Sequence, residues 1–138
     1  MKLFVVFSSF IALVASAAAP APVMIQWGFP AAGVSSLPAV AAKLNQTLIF
    51  QYKGKFHNVQ KFPTAAAYAA CNFTGAKLVG DTGPVSTKAI SGISYYGCSV
   101  PGHCAAGMKV MVTVKPTVAM SHQAPSTTSG AAKTPKPT

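Results

Sequence analysis

Cys98, His103 and Met108 stand at equal intervals of five residues in the segment Gly97-Cys98-Ser99-Val100-Pro101-Gly102-His103-Cys104-Ala105-Ala106-Gly107-Met108. On a helix, an offset of five turns the chain by about 500° and leaves neighbours roughly 140° apart. On a strand, an odd offset sends side chains to opposite faces. The three groups can therefore converge only on a folded-back loop, for which Gly97, Pro101, Gly102 and Gly107 supply the backbone. A thiol, a thioether and an imidazole in one loop favour copper over magnesium or calcium. Two His and one Cys with a long axial Met is a known electron-transfer arrangement, and it needs a second His from elsewhere. His57 and His122 are the candidates. His122 lies in a Ser/Thr/Pro/Ala-rich stretch and reads as solvated. His57, in Lys55-Phe56-His57-Asn58-Val59, follows a strand-forming run and suits a site assembled between strands. Asn58 reads as a brace of the ligand loop, because groups that hydrogen-bond around a metal site orient its ligands. Its plainer reading is a turn residue.

Composition removes other chemistries. Lys and Arg total 11 against a single acidic residue, Asp81, giving a formal charge of +10. With no second carboxylate side chain, two-carboxylate glycoside hydrolysis and a carboxylate Ca²⁺ cage are both excluded. A coiled coil fits poorly with no Glu, 11 Gly and 11 Pro. The lysine field would steer the chain towards an acidic redox protein, an acidic cell-wall polysaccharide or an anionic surface. Nucleic acid is not expected, since there is no Arg and no recognised binding motif.

The three cysteines leave an odd one. If Cys98 is a metal thiolate, Cys71 and Cys104 remain to pair, but the spacing alone leaves Cys98–Cys104 and Cys71–Cys98 open. A structural zinc site of Cys71, Cys98, His103 and Cys104 is an alternative, though it gives His57 and Met108 no role. A thiol enzyme with Cys98 as nucleophile and His57 or His103 as base is another. A copper-binding or wall-interaction protein without a redox role would share the same ligands. A copper oxygenase with an N-terminal His is disfavoured, because processing after Ala17 would expose Ala18.

The elements that must hold these groups lie between two appendages. Residues 1–17 combine Lys2, the apolar run Leu3 to Ala15 and Ala15-Ser16-Ala17, which reads as a secretory signal. The run is too short for a comfortable membrane span. Residues 117–138 carry Ser, Thr, Pro, Ala and Lys without apolar periodicity and read as a disordered tail. The tail has no hydrophobic end of the kind a lipid-anchor signal requires. The folded unit is then 18–116, in a secreted and oxidising setting.

Within it, Val23-Met24-Ile25-Gln26-Trp27 and Thr47-Leu48-Ile49-Phe50-Gln51-Tyr52 read as strands. Ile93 to Tyr96 and Lys109 to Val114 alternate, with Val110, Val112 and Val114 on one face. Short helices are expected over Pro63 to Ala70 and over the Ala-rich Pro38 to Leu44. Several short strands with turn signals predict an all-β sandwich or barrel. The sequons Asn45-Gln46-Thr47 and Asn72-Phe73-Thr74 fit a glycosylated surface.

The pattern His57-Asn58-Val59, Cys71, Cys98-x₄-His103-Cys104-x₃-Met108-Lys109 resembles the phytocyanins, secreted blue copper proteins, over roughly residues 22–115. The resemblance implies a cupredoxin-like Greek-key β-sandwich with one type 1 copper. It implies His57, Cys98, His103 and Met108 as ligands and Cys71–Cys104 as the disulfide. It further implies a monomeric electron carrier rather than an enzyme, exchanging single electrons with a protein or small-molecule partner through the edge of His103. Pro101, Gly102 and Ala105 would form the docking rim. Met108 sits where the stellacyanin branch has Gln. The stretch Trp27 to Ala42 and the scarcity of acidic residues depart from the family pattern.

Overall fold

The computed structural model describes residues 18–116. The signal assigned to 1–17, the tail assigned to 117–138 and His122 lie outside the described residues. Among the described residues, eight strands and one short helix run in the order β1 (Val23–Gln26), β2 (Val40–Ala42), β3 (Thr47–Gly54), β4 (Val59–Lys61), α1 (Ala65–Ala69), β5 (Lys77–Gly80), β6 (Gly83–Lys88), β7 (Gly92–Gly97) and β8 (Lys109–Val114). They form a three-stranded sheet, β1-β3-β6, and a five-stranded sheet, β2-β8-β7-β4-β5. β1 pairs parallel to β3, and β2 parallel to β8. The remaining pairs are antiparallel.

Alternation places the core. Leu48, Phe50 and Tyr52 of β3 point inward, as do Val110, Val112 and Val114 of β8. With Ile25, Trp27, Val59, Val85 and Tyr96 they fill one apolar layer between the sheets. The edge of Trp27 meets the Phe50 ring at 5.0 Å, and Phe50 meets Tyr96 at 5.1 Å. Cys98 and Met108 belong to the same buried cluster. The site residues on the 98–108 loop are thus continuous with the core.

The helix expected over Pro38 to Leu44 is corrected. Val40–Ala42 is an edge strand in register with β8, Val40 opposite Val112 and Ala42 opposite Val114. Alanine is a strong helix former, but intrinsic propensity is small beside tertiary context, and here the ladder offered by β8 outweighs it. Leu37 N–H, bonded to the Lys109 carbonyl at 2.9 Å, feeds the chain into that pairing. The other helix is present: Thr64 caps it, accepting from Ala67 N–H at 3.1 Å, with Pro63 just outside. Three strands, β4, β5 and β6, have no counterpart in the sequence reading.

Cys71 and Cys104 form a disulfide across 33 positions, tying the end of α1 to the loop before β8. A closed loop of that length removes chain entropy worth roughly 3–4 kcal/mol from the unfolded state. Lys109 adds a second tie. Its Nζ donates to the carbonyls of Tyr68 and Ala69, both at 3.3 Å, and lies 5.1 Å from the Tyr68 ring centroid. No helix among the described residues is long and apolar enough to cross a membrane.

Candidate metal centre

The loop between β7 and β8 folds back on itself, as the five-residue spacing requires. Cys98 N–H donates to the Met108 carbonyl at 3.1 Å and closes the base of the loop. Met108 N–H bonds the His103 carbonyl at 3.0 Å, and His103 N–H bonds that of Val100 at 3.0 Å. Gly102 and Gly107 take the positive φ angles that these turns need, 82° and 93°. His103 is thereby carried back over Cys98, with Sγ and Nδ1 3.5 Å apart.

His57 arrives from the segment joining β3 to β4. Its Nδ1 lies 3.1 Å from Nδ1 of His103. One ligand atom from each of His57, Cys98 and His103 falls within 4.8 Å of the others. Met108 is fully buried in the core cluster that also holds Cys98. Cys98 is a buried, free thiol. Burial, and then the neighbouring His103, hold the His57 imidazole below its ordinary pKa, which favours the neutral ring that metal ligation requires.

Neighbouring side chains fix this arrangement. Asn58 and Ser99, the residues after His57 and Cys98, bond reciprocally: Asn58 Nδ2 donates to Ser99 Oγ at 2.8 Å, and Ser99 N–H donates to Asn58 Oδ1 at 2.8 Å. Gln60 Nε2 donates to the same hydroxyl at 2.6 Å. Trp27 Nε1 bonds the Asn58 carbonyl at 2.9 Å. The two segments are thus clamped to each other one residue away from His57 and Cys98. Tyr52 and Phe29 turn ring edges toward His57, at 5.8 Å and 6.1 Å, and Phe29 also meets His103 at 4.9 Å. The Tyr52 hydroxyl is buried without a hydrogen-bond partner among the described residues. Burial raises its pKa, with Asp81 and Cys98 adding to the effect.

His57, Cys98 and His103, singled out in the sequence, come together, and Asn58 stands between the two segments. The sequence reading missed Ser99, Gln60, Trp27, Tyr52 and Phe29. Only Ser99 carried a local signal, its position beside Cys98. The Cys₃His zinc alternative is corrected, because Cys71 and Cys104 are bonded to each other and offer no thiolates.

The donors suit a soft ion. Metal bonds of roughly 2.0–2.3 Å set three donors of a trigonal plane about 3.5–4 Å apart, close to the separations seen here. Two facing imidazole nitrogens and a buried thiol, with no carboxylate among them, favour copper over a hard cation.

Residues 41–108 match the family model for a plastocyanin-like domain. Chemocyanin of Lilium longiflorum is 35% identical over 88 residues, which cover 63% of this chain and 67% of that protein. Stellacyanin of Toxicodendron vernicifluum is 38% identical over 73 residues, 51% of this chain and 66% of the relative. The chain thus spans about two thirds of the length of these relatives. Among solved structures, spinach plantacyanin aligns with a TM-score of 0.56 and 31% identity, covering 69% of this chain and all (100%) of the other. The cucumber basic protein, a blue copper protein, aligns at a TM-score of 0.52 and 30% identity, covering 64% and 90%.

Proposed function

This chain belongs to the phytocyanins, plastocyanin-like copper proteins of the cupredoxin fold, and from that premise we propose that it carries single electrons outside the cell. The metal would be one type 1 copper, held by His57, Cys98, His103 and Met108. The observation that carries this reading is the convergence of one thiol and two imidazoles within 4.8 Å, with Met108 buried in the same core cluster as the thiol.

Bound copper would supply a one-electron couple between Cu(I) and Cu(II). The protein's part is to keep the donors still while that charge changes. Cys98 and Met108 are held in the core, His57 is fixed through Asn58 and Ser99, and Cys104 anchors His103 through the disulfide. Four protein donors leave no position for a substrate, unlike a catalytic metal site. We therefore assign electron transfer, not enzymatic turnover. Exposed Pro101, Gly102 and Ala105 surround the half-buried His103 and form the rim at which a partner would dock.

Charge supports an acidic partner. Lys43, Lys53, Lys55, Lys77, Lys88 and Lys115 are exposed, against Asp81 alone. Such a field attracts an acidic redox protein, an acidic small molecule or cell-wall polyanions. An extracellular setting accords with the disulfide, and a monomer is the proposed state. Asn45 and Asn72, the sequon residues, are exposed.

The test is the visible and EPR spectrum after addition of Cu(II), with Cys98→Ser alongside. An intense thiolate-to-copper band with narrow copper hyperfine splitting, lost in the variant, is expected. Copper signals indifferent to Cys98, or uptake of zinc in preference to copper, would overturn the reading.

A further inference from the structure

The segment 28–37 between β1 and β2 is a strap laid across the ligand loop, fastened at both ends. At its start, Trp27 N–H bonds the Gln51 carbonyl at 2.9 Å and Trp27 Nε1 bonds the Asn58 carbonyl at 2.9 Å. At its end, Leu37 N–H bonds the Lys109 carbonyl at 2.9 Å. Between them the strap rests on Gly107, where an added Cβ would lie 2.6 Å from Pro30 Cγ and 2.8 Å from the Val34 carbonyl oxygen. The strap thus lies directly against the residue preceding Met108.

Phe29 rides on this strap. Its ring centroid is 4.9 Å from that of His103 and 6.1 Å from that of His57, edge-on to both. The side chain is 55% exposed and is no part of the core cluster. Packing of the interior therefore does not explain its place, since its aromatic neighbours are the two imidazoles. Phe56, by contrast, is 82% exposed beside His57 in sequence, yet makes no ring contact with either His among the described residues.

We infer that Phe29 is a shutter: its ring covers the His57–His103 pair and decides what reaches those imidazoles. Set edge-on against both imidazoles, the ring keeps water and small solutes off the donors, and its exposed part is the surface a redox partner touches first. Excluding water strengthens every charge interaction inside the site, so the shutter also shapes the field the metal would feel. Residues 28–37 lie over the ligand loop at Gly107, and Phe29 is their ring contact with the imidazole pair.

The inference rests on the copper reading for its role in electron transfer, but the cover itself can be tested on the metal-free protein. Full-length apo-protein is treated with diethyl pyrocarbonate, and modification of His57 and His103 is followed by peptide mass spectrometry. Phe29→Ala should raise the rate at both imidazoles several-fold, Phe29→Leu should fall between, and Phe56→Ala should match the parent. On the copper-loaded protein, Phe29→Ala should speed removal of copper by a chelator and shift the reduction potential, with Phe29→Leu restoring most of both. Should Phe29→Ala fail to fold, Phe29→Leu against the parent carries the comparison. Parent-like rates in the Phe29 variants, or an equal rise in Phe56→Ala, would overturn the shutter. Failure of the copper reading would instead show in the Cys98→Ser spectra and leave the apo-protein comparison intact.

Discussion

Asn58→Ala cuts the clamp between the two ligand-bearing segments without touching a proposed ligand. The substitution removes the Asn58 Nδ2 to Ser99 Oγ bond and the Ser99 N–H to Asn58 Oδ1 bond, both 2.8 Å. It leaves the part-buried Ser99 N–H without its acceptor. The Trp27 Nε1 bond survives, because it goes to the backbone carbonyl. Each net hydrogen bond contributes about 1 kcal/mol and an orphaned amide costs about 1–3 kcal/mol, so the loss should be roughly 2–3 kcal/mol. With a urea m-value near 1 kcal/mol/M, the unfolding midpoint falls by roughly 2–3 M. The measurement is made on the apo-protein in chelator, since a ligand bound only by the folded state would add its own stability. Asn58→Asp keeps the acceptor for Ser99 N–H, and the Ser99 hydroxyl can turn to donate to the carboxylate while still accepting from Gln60. It should lose less than half as much. A double-mutant cycle with Ser99→Ala should give a coupling of about 1–2 kcal/mol. A cost for Asn58→Ala below about 0.5 kcal/mol, or no coupling to Ser99, would refute the clamp.

Gly107→Ala should destabilise the fold by roughly 2–5 kcal/mol, read by urea unfolding, since a side chain there meets both left-handed strain and overpacking. The position has φ +93° and a Cβ would strike Pro30 and Val34. Tyr96 gives the pH-dependent case. Burial holds its phenol above the ordinary value of 10.0 in the folded state, although the nearby Ser94 side chain works the other way. Above that value the unfolded chain releases the proton while the folded chain retains it, so stability falls as pH rises from the unfolded pKa to the folded one. Tyr96→Phe should flatten this alkaline loss, seen in urea midpoints taken about one unit either side of pH 10. A slope identical to the parent's would count against it.

The metal-binding part of the sequence was legible because its chemistry is scarce. One unpaired cysteine, two well-placed imidazoles and a Met after a glycine have few ways to be useful together, and the folded-back loop follows from their spacing. β3 and β8 were legible for a different reason: Leu48, Phe50 and Tyr52, and Val110, Val112 and Val114, alternate cleanly because one face of each strand is buried. β2 was not, since Val40-Ala41-Ala42 gains its conformation from the register of β8, which no local pattern announces. β5 and β6 hide in a run that mixes Leu78, Val79 and Val85 with Gly80, Asp81, Gly83 and Pro84, so turn residues mask the strand periodicity. Ser99 and Phe29 acquire their roles only across the fold, 41 and 74 positions from their partners Asn58 and His103 in the chain. The family resemblance carried the overall architecture past these gaps.

The parallel pairing of β2 with β8 also sets a schedule. Val40 waits for Val112, and three of the four proposed ligands, Cys98, His103 and Met108, sit in the last connection before β8. A ribosome delivers His57 early, but the thiol and its companions emerge only when nearly the whole domain is already out. Non-local pairing of this kind closes late. The growing chain therefore passes most of its synthesis without a complete set of the proposed donors, and capture of the proposed copper would be a property of the finished sandwich alone.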